Sequence, residues 1–299
     1  MRIKSIMLAG ILLLAQSCSQ KAAEENNQDE VKTPVRVHVS DFSFSNENFP
    51  DAQTRAGDDP NKYTAVKAID IAIFAAGNKQ VYAATQIKDD ATTYTTFGEF
   101  ECSLPVGTYT MVAVARNRSD GDKFTITSPT QAAYTSERAR ETFCCTQSIT
   151  VTGKAPVDIS PVMNRVMAQF QLLSTDQAPS AATTLRTTYG AGSKSFNPTT
   201  GLATDDNGFS VTNRVVPDDD DGTIFVYSIV FLSANEETMP VTIEALDANQ
   251  SVLISKTLPK VHFKRNQITK ATGAVFTPGT SNFSFLLNTD WLPDENITF

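Results

Sequence analysis

From residue 35 onward, apolar and polar positions alternate in short runs. Val35, Val37 and Val39 are separated by Arg36, His38 and Ser40, and Phe42 and Phe44 continue the phase. A period of two places every second side chain on one face, the pattern of a half-buried strand. The same reading predicts strands over residues 68–75, 80–86, 99–104, 108–115, 124–127 and 143–152, with turns at Gly77-Asn78 and Pro105-Val106-Gly107. A second series covers residues 162–173, 209–212, 223–232, 240–245, 252–258, 270–276, 283–287 and 297–299. The stretch 223–232 is the most apolar after the N-terminal segment and is expected to be a central strand, whereas 174–193 looks irregular. Long runs of helical periodicity are missing. Short strands at this spacing predict an all-β chain built as sandwiches.

The N-terminus follows a different pattern. Behind Arg2 and Lys4, residues 6–15 are continuously apolar. As a helix that run spans about 15 Å, half of a ~30 Å hydrocarbon core, so it is expected to be a secretory signal and not a membrane span. Leu14-Ala15-Gln16-Ser17-Cys18 resembles the bacterial lipobox, which implies cleavage before Cys18 and acylation of that residue. With about 0.8 kcal/mol for each buried CH₂, several acyl chains hold a protein to a membrane where one does not. The expected order is a signal peptide at 1–17, a lipidated polar tether at 18–33, and two domains at 34–156 and 157–299, divided at Gly153-Lys154-Ala155-Pro156.

Charge narrows the partners. The formal net charge is −8, and loss of residues 1–17 removes Arg2 and Lys4, leaving 23 basic residues against 33 acidic ones. A nucleic-acid partner is not expected, because binding a phosphate backbone calls for clustered Lys and Arg.

Candidate chemistry is sparse. His38 and His262 are the two histidines, and neither has a carboxylate, Cys or His at metal-ligand spacing. No Gly-x-Ser-x-Gly elbow is present. Gly190-Ala191-Gly192-Ser193-Lys194-Ser195 lacks the Gly-Lys pair of a phosphate loop and reads as a turn. Asp218 to Asp221 places four carboxylates in succession, where calcium loops space them at alternate positions, so a solvated turn is expected. Cys144 and Cys145 are read as neighbours on opposite faces of a strand, with a disulfide from Cys102 to one of them as the alternative. Trp291 and the pairs Phe283/Phe285 and Ile297/Phe299 are read as strand core in preference to sugar-stacking surfaces. The chain is expected to be no enzyme and to hold neither cofactor nor metal.

Several segments together resemble the FimB/Mfa2 family of fimbrial subunits from Bacteroidales. Val66 to Val81 is similar to that family's first core hairpin, and Leu104-Pro105-Val106-Gly107-Thr108-Tyr109 to its Leu-Pro-x-Gly-Thr-Tyr strand. Thr142-Phe143 with the strand that follows, Asn164-Arg165-Val166-Met167-Ala168-Gln169-Phe170, and Lys264-Arg265-Asn266-Gln267-Ile268-Thr269 continue the likeness in order. The resemblance implies two transthyretin-like β-sandwich domains and a lipid-anchored outer-membrane subunit of an adhesive fimbrium. It also implies assembly with other fimbrial subunits by donor-strand exchange. In stalk-type members cleavage after an arginine removes the first strand, and Thr54-Arg55-Ala56-Gly57 is the place for such a cut, between Arg55 and Ala56. Without that cut, the first strand stays and the protein is a base or anchor subunit, the role favoured here. Phe283, Phe285 and Leu287, with Ile297 and Phe299, are then the candidates for the strand offered to a partner. A surface lipoprotein that binds glycans is the rival reading.

Overall fold

The computed structural model describes residues 32–43, 65–88, 90, 94–136, 138–217, 222–279 and 283–288. Cys18, Arg55, Ala56, Asp218 to Asp221, Trp291, Ile297 and Phe299 lie outside the described residues. Apart from a three-residue 3₁₀ turn at Ala76–Asn78, every regular element described is a strand.

The N-terminal strands are β1 (Thr33–His38), β2 (Asp41–Ser43), β3 (Ala68–Ala75), β4 (Lys79–Ile87), β5 (Glu99–Leu104), β6 (Gly107–Arg116), β7 (Phe124–Ser128), β8 (Gln131–Tyr134), β9 (Thr142–Val151), β10 (Val157–Ile159) and β11 (Val162–Arg165). They are followed by β12 (Ala168–Ser174), β13 (Thr184–Tyr189), β14 (Ser195–Asn197), β15 (Leu202–Ala203), β16 (Phe209–Arg214), β17 (Phe225–Val230), β18 (Glu236–Leu246), β19 (Val252–Lys264), β20 (Ile268–Gly273) and β21 (Phe283–Asn288).

These strands make two sandwiches. In the first, a three-stranded sheet β10-β1-β5 covers one face of a six-stranded sheet β2-β11-β9-β6-β3-β4. Its core gathers Val35, Val37 and Phe100 from the smaller sheet with Ile69, Ile71, Ile73, Met111 and Phe143 from the larger. In the second, sheet β17-β12-β20-β21 faces sheet β16-β13-β18-β19 across Phe170, Leu172, Leu185, Val241, Ile243 and Phe263. Burial of one face of each sheet is the driving force, and the alternating side chains meet it.

A third layer distinguishes the six-stranded sheet. Its other face is covered by the small sheet β15-β14-β8-β7, and Ala72, Phe74, Val112 and Val114 pack there against Tyr134, Phe196 and Phe231. β3 is consequently buried from Ala68 to Phe74. The small sheet draws β7 and β8 from before β12 and β14 and β15 from after it, so the sequence halves share it.

The two-sided burial admits one acid. Asp70 sits among these apolar residues, and Arg116 Nε donates to it at 2.7 Å while the Thr85 hydroxyl donates at 2.7 Å. The Arg116 guanidinium also lies 4.9 Å from the Phe124 ring centroid. Burial works against the charge on Arg116, and Asp70 more than offsets it, leaving the arginine pKa above its ordinary value.

Two expectations are corrected. The apolar run over 223–232 forms β17, an edge strand and not a central one. Its second half is apolar because both faces are covered there: Val226 and Val230 enter the second core, Ile229 and Phe231 enter the layer above the six-stranded sheet, and Phe225 at the start stays exposed. The irregular-looking 174–193 contains β13, paired along six residues with both β16 and β18. Its inward positions are Leu185, Thr187 and Tyr189, and the threonines on both faces hide the alternation.

Candidate functional site

The C-terminal strand β21 is the described element that carries the sequence-predicted partner residues. It runs antiparallel to β20 over six residues and has no described strand on its other side. Phe283, Phe285 and Leu287 stand opposite Gly273, Ala271 and Thr269, and so face the sandwich interior. Phe283 packs on the second core, but Phe285 remains 48% exposed and Leu287 37%. Leu286, on the outer face, is 60% exposed. An edge strand with apolar residues open on both faces is a template for pairing with another strand. The strand-core reading therefore holds for Phe283 and is corrected for Phe285.

The approach to β21 is fixed by a residue that sequence reading passed over. Asp176 accepts the backbone N–H groups of Val275 at 2.7 Å, Phe276 at 2.8 Å and Thr277 at 2.6 Å, and also the Thr277 hydroxyl at 2.8 Å. A carboxylate in a concave run of amides is a charge-assisted clamp. Here it holds the segment between β20 and β21. From the opposite sheet Lys256 donates to the Ala274 carbonyl, and its ammonium lies 5.9 Å from the Phe283 ring centroid.

At the other end of the chain, β1 is built into its sheet. It pairs antiparallel with β5 through six residues and parallel with β10 through three. Val35 and Val37 are buried, and Arg36 faces outward between Glu101 at 3.7 Å and Asp158 at 3.6 Å. His38 hydrogen-bonds Glu99 on the same face. His262 is exposed, 3.2 Å from the Thr238 hydroxyl and 3.8 Å from Glu236. The two histidines sit in different sheets, and no metal-holding cluster of His, Cys, Asp or Glu occurs among the described residues.

Two motifs from the sequence meet where the sandwiches join. Arg165 Nη1 donates to Asn266 Oδ1 at 3.0 Å, and its Nη2 lies 2.8 Å from Glu141. Asn266, at φ 59°, donates its N–H to the Met167 carbonyl at 2.8 Å, and Arg265 donates to the Thr200 carbonyl at 3.0 Å. In the Leu-Pro-x-Gly-Thr-Tyr segment, the Tyr109 hydroxyl donates to the Pro105 carbonyl at 3.0 Å. A Cβ at Gly107 would stand 3.3 Å from the tyrosine ring, so the glycine makes room for that brace.

The three described cysteines form no disulfide. Cys102, Cys144 and Cys145 are free thiols. Cys144 points into the layer above the six-stranded sheet and Cys145 into the first core, on opposite faces as expected. Burial pushes Cys145 up to about 11, and burial with neighbouring Glu101 pushes Cys102 to about 11, so both stay protonated at neutral pH. Gly190 to Ser195 forms a turn in which the Gly192 N–H donates to Asp206 at 2.6 Å and the Ser193 and Ser195 hydroxyls donate to Asp205 at 3.0 Å.

Residues 30–295 match the model of a family described as a family of unknown function, DUF6562. The chain belongs to the DUF6562 family. No curated protein matches it. Among solved structures, this DUF6562 chain is similar to one described as "putative polysaccharide binding proteins (DUF1812)" from Bacteroides thetaiotaomicron, with a TM-score of 0.52 at 10% identity, covering 86% of this chain and 96% of that one. A "putative adhesin" from Bacteroides ovatus aligns with a TM-score of 0.50 at 8% identity over 85% of this chain and 88% of the other. The fimbrial anchor protein Mfa2 from Porphyromonas gingivalis aligns with a TM-score of 0.47 at 11% identity over 86% and 98%. At such identities the likeness to the first two is one of fold.

Proposed function

We propose that this DUF6562 protein is a fimbrial subunit of the base or anchor type, held at the outer membrane through an acylated Cys18 and supporting adhesion. The observation that carries the reading is β21, the last described strand, which is an edge strand among the described residues and has exposed apolar side chains. Phe283, Phe285 and Leu287 belong to the strand that a neighbouring subunit would pair with, extending the sheet through backbone hydrogen bonds. The two-sided pairing of β1 supports retention of that strand, because removing it by a cut at Arg55 would strip Val35 and Val37 from the first core. The fold shared with the structure described as a putative adhesin is consistent with a surface role.

The test is the intact mass and N-terminal sequence of the protein recovered from surface fibres. An acylated Cys18 terminus is the expected result. A terminus at Ala56 would replace the anchor reading with a cleaved stalk subunit, and absence from any fibre would overturn the fimbrial reading.

A glycan-binding role is the second reading. The outer face of the β17-β12-β20-β21 sheet presents Phe225, 49% exposed, beside Tyr227, Gln171 and Lys270, which are partly exposed. Aromatic faces beside amides are the usual means of holding a sugar chain.

A further inference from the structure

A narrow recess opens in the side of the second sandwich, where Arg138 to Arg140 cross it. Its walls are Arg138 and Arg140, Val211 from β16, and Tyr227 and Ser228 from β17. β16 and β17 are edge strands of the two facing sheets. Both guanidinium groups are held in place. Arg138 Nη2 donates to the Thr212 carbonyl at 3.0 Å, and Arg140 donates to Asp122 at 2.7 and 2.9 Å. The room between the walls suits about one water-sized group, so a single oxygen-bearing substituent enters while a sugar ring stays outside.

Tyr227 belongs both to this recess and to the outer face of the β17-β12-β20-β21 sheet. On that face it stands beside Gln171, and Gln171 beside Lys270, a row about 10 Å long. Two positions along β17, about 7 Å away, Phe225 stands beside Leu173, and they are 49% and 41% exposed. An aromatic surface therefore lies between a pair of arginines at one end and a lysine at the other. Aromatic rings hold the apolar body of a sugar, the glutamine amide suits its hydroxyls, and guanidinium groups bind carboxylates through paired N–H bonds. Among the described residues, the acids that meet this segment are engaged elsewhere: Asp122 by Arg140, and Glu141 by Arg165 at 2.8 Å. The local charge is thus set by cations, although the whole chain carries a net −8.

We propose that the recess and the adjoining sheet face form one binding site for an acidic polysaccharide. A uronate unit lies on Tyr227 and Phe225 with its carboxylate at Arg138 and Arg140, and the polymer continues past Gln171 to Lys270. The assignment rests on the glycan-binding reading and names its ligand class.

The experiment is calorimetric titration of the full chain with oligosaccharides of polygalacturonate and alginate, with their carboxyl-reduced neutral forms, and with polyglutamate. The expected result is binding of at least one uronate about tenfold tighter than its reduced form, and no comparable binding of polyglutamate. Arg138→Gln and Lys270→Gln should each weaken uronate binding by about tenfold, and Phe225→Ala by about threefold to tenfold. Unchanged amide exchange in β1 and β13 shows that each variant is folded, and Lys270→Gln decides the matter if Arg138→Gln is not. Equal binding of acidic and reduced sugars, weakened by Phe225→Ala, overturns the acidic assignment and leaves the glycan reading standing. Polyglutamate binding as tight as the uronates overturns it in favour of an acidic peptide. Failure of every sugar to bind overturns the proposal and the glycan reading of this face together.

Discussion

The two sandwiches are built from similar strands and finished differently. In the first, β1 arrives early in the chain and is paired on both sides, and the six-stranded sheet beneath it is covered on both faces. In the second, β21 is the last described strand, is paired on one side among the described residues and leaves inward-facing side chains exposed. The same residue type does opposite work in the two places. Phe42 is fully buried, meeting Phe143 edge-to-face with centroids 5.2 Å apart, whereas Phe285 has half its surface in water. Apolar character in the first sandwich is buried and stabilises it; at β21 of the second it is left exposed.

The sharpest way to break that contrast is one substitution made twice. Phe42→Ala is expected to cost about 3–5 kcal/mol in a urea titration, as for a buried aromatic that leaves a cavity. Phe285→Ala should cost less than about 1 kcal/mol, because little buried area is lost. Equal costs would mean that β21 is as much core as β2.

A smaller effect is expected from Asp176→Ala, which orphans three amides and a hydroxyl. About 1–3 kcal/mol is expected, read as faster amide exchange in β20 and β21 with β1 unaffected. Loss of protection across the whole chain would show that the clamp serves both sandwiches instead of the open edge alone.

The smallest effect depends on pH and belongs to the closed region. Arg140 donates to Asp122 at 2.7 and 2.9 Å. Burial opposes the charge on Asp122, and the hydrogen bonds from Arg140 and the Ser119 amide, with the positive charges of Arg140 and Arg116, together outweigh it, so the carboxyl titrates below its ordinary value. A carboxyl whose pKa is lower when folded stabilises the fold above the unfolded value near 4, and this is lost as pH falls through the folded value. The stability gap between the native chain and Asp122→Asn should narrow below about pH 4. A gap that stays constant from pH 6 to pH 3 would remove the pair from the account.

How much of this could be read from the sequence depended on what each residue had to reveal. Val35, Val37 and Val39 announced β1 because polar residues separated them, and the pairs of glycine, proline and asparagine placed the turns. β13 escaped because threonine occupies both its faces. The rank of 223–232 misled because Ile229 and Phe231 are apolar for a second covering layer, which an edge strand lying between layers can meet as well as a central one. Parallel partners such as β1 with β10, or β12 with β20, leave no local mark, since neither strand carries the other's register. Of the candidate site, the apolar residues of β21 were legible, but their exposure was not. Exposure depends on where the opposite sheet ends. Asp176 gave no signal, because its three amides lie about a hundred residues away in the chain.

Parallel pairing in the first sandwich also sets an order of folding. Val35 pairs with Val157, and Phe42 with Met163, so strands made first are completed by strands made much later. For a chain emerging from its N-terminus, β1 and β2 find their final neighbours only after residue 165 is free. Contacts that distant in sequence form slowly. Until they form, β1 has only β5 beside it and Phe42 lacks the β11 neighbour that holds β2 in the six-stranded sheet, so this apolar stretch is the last part of the first sandwich to be secured.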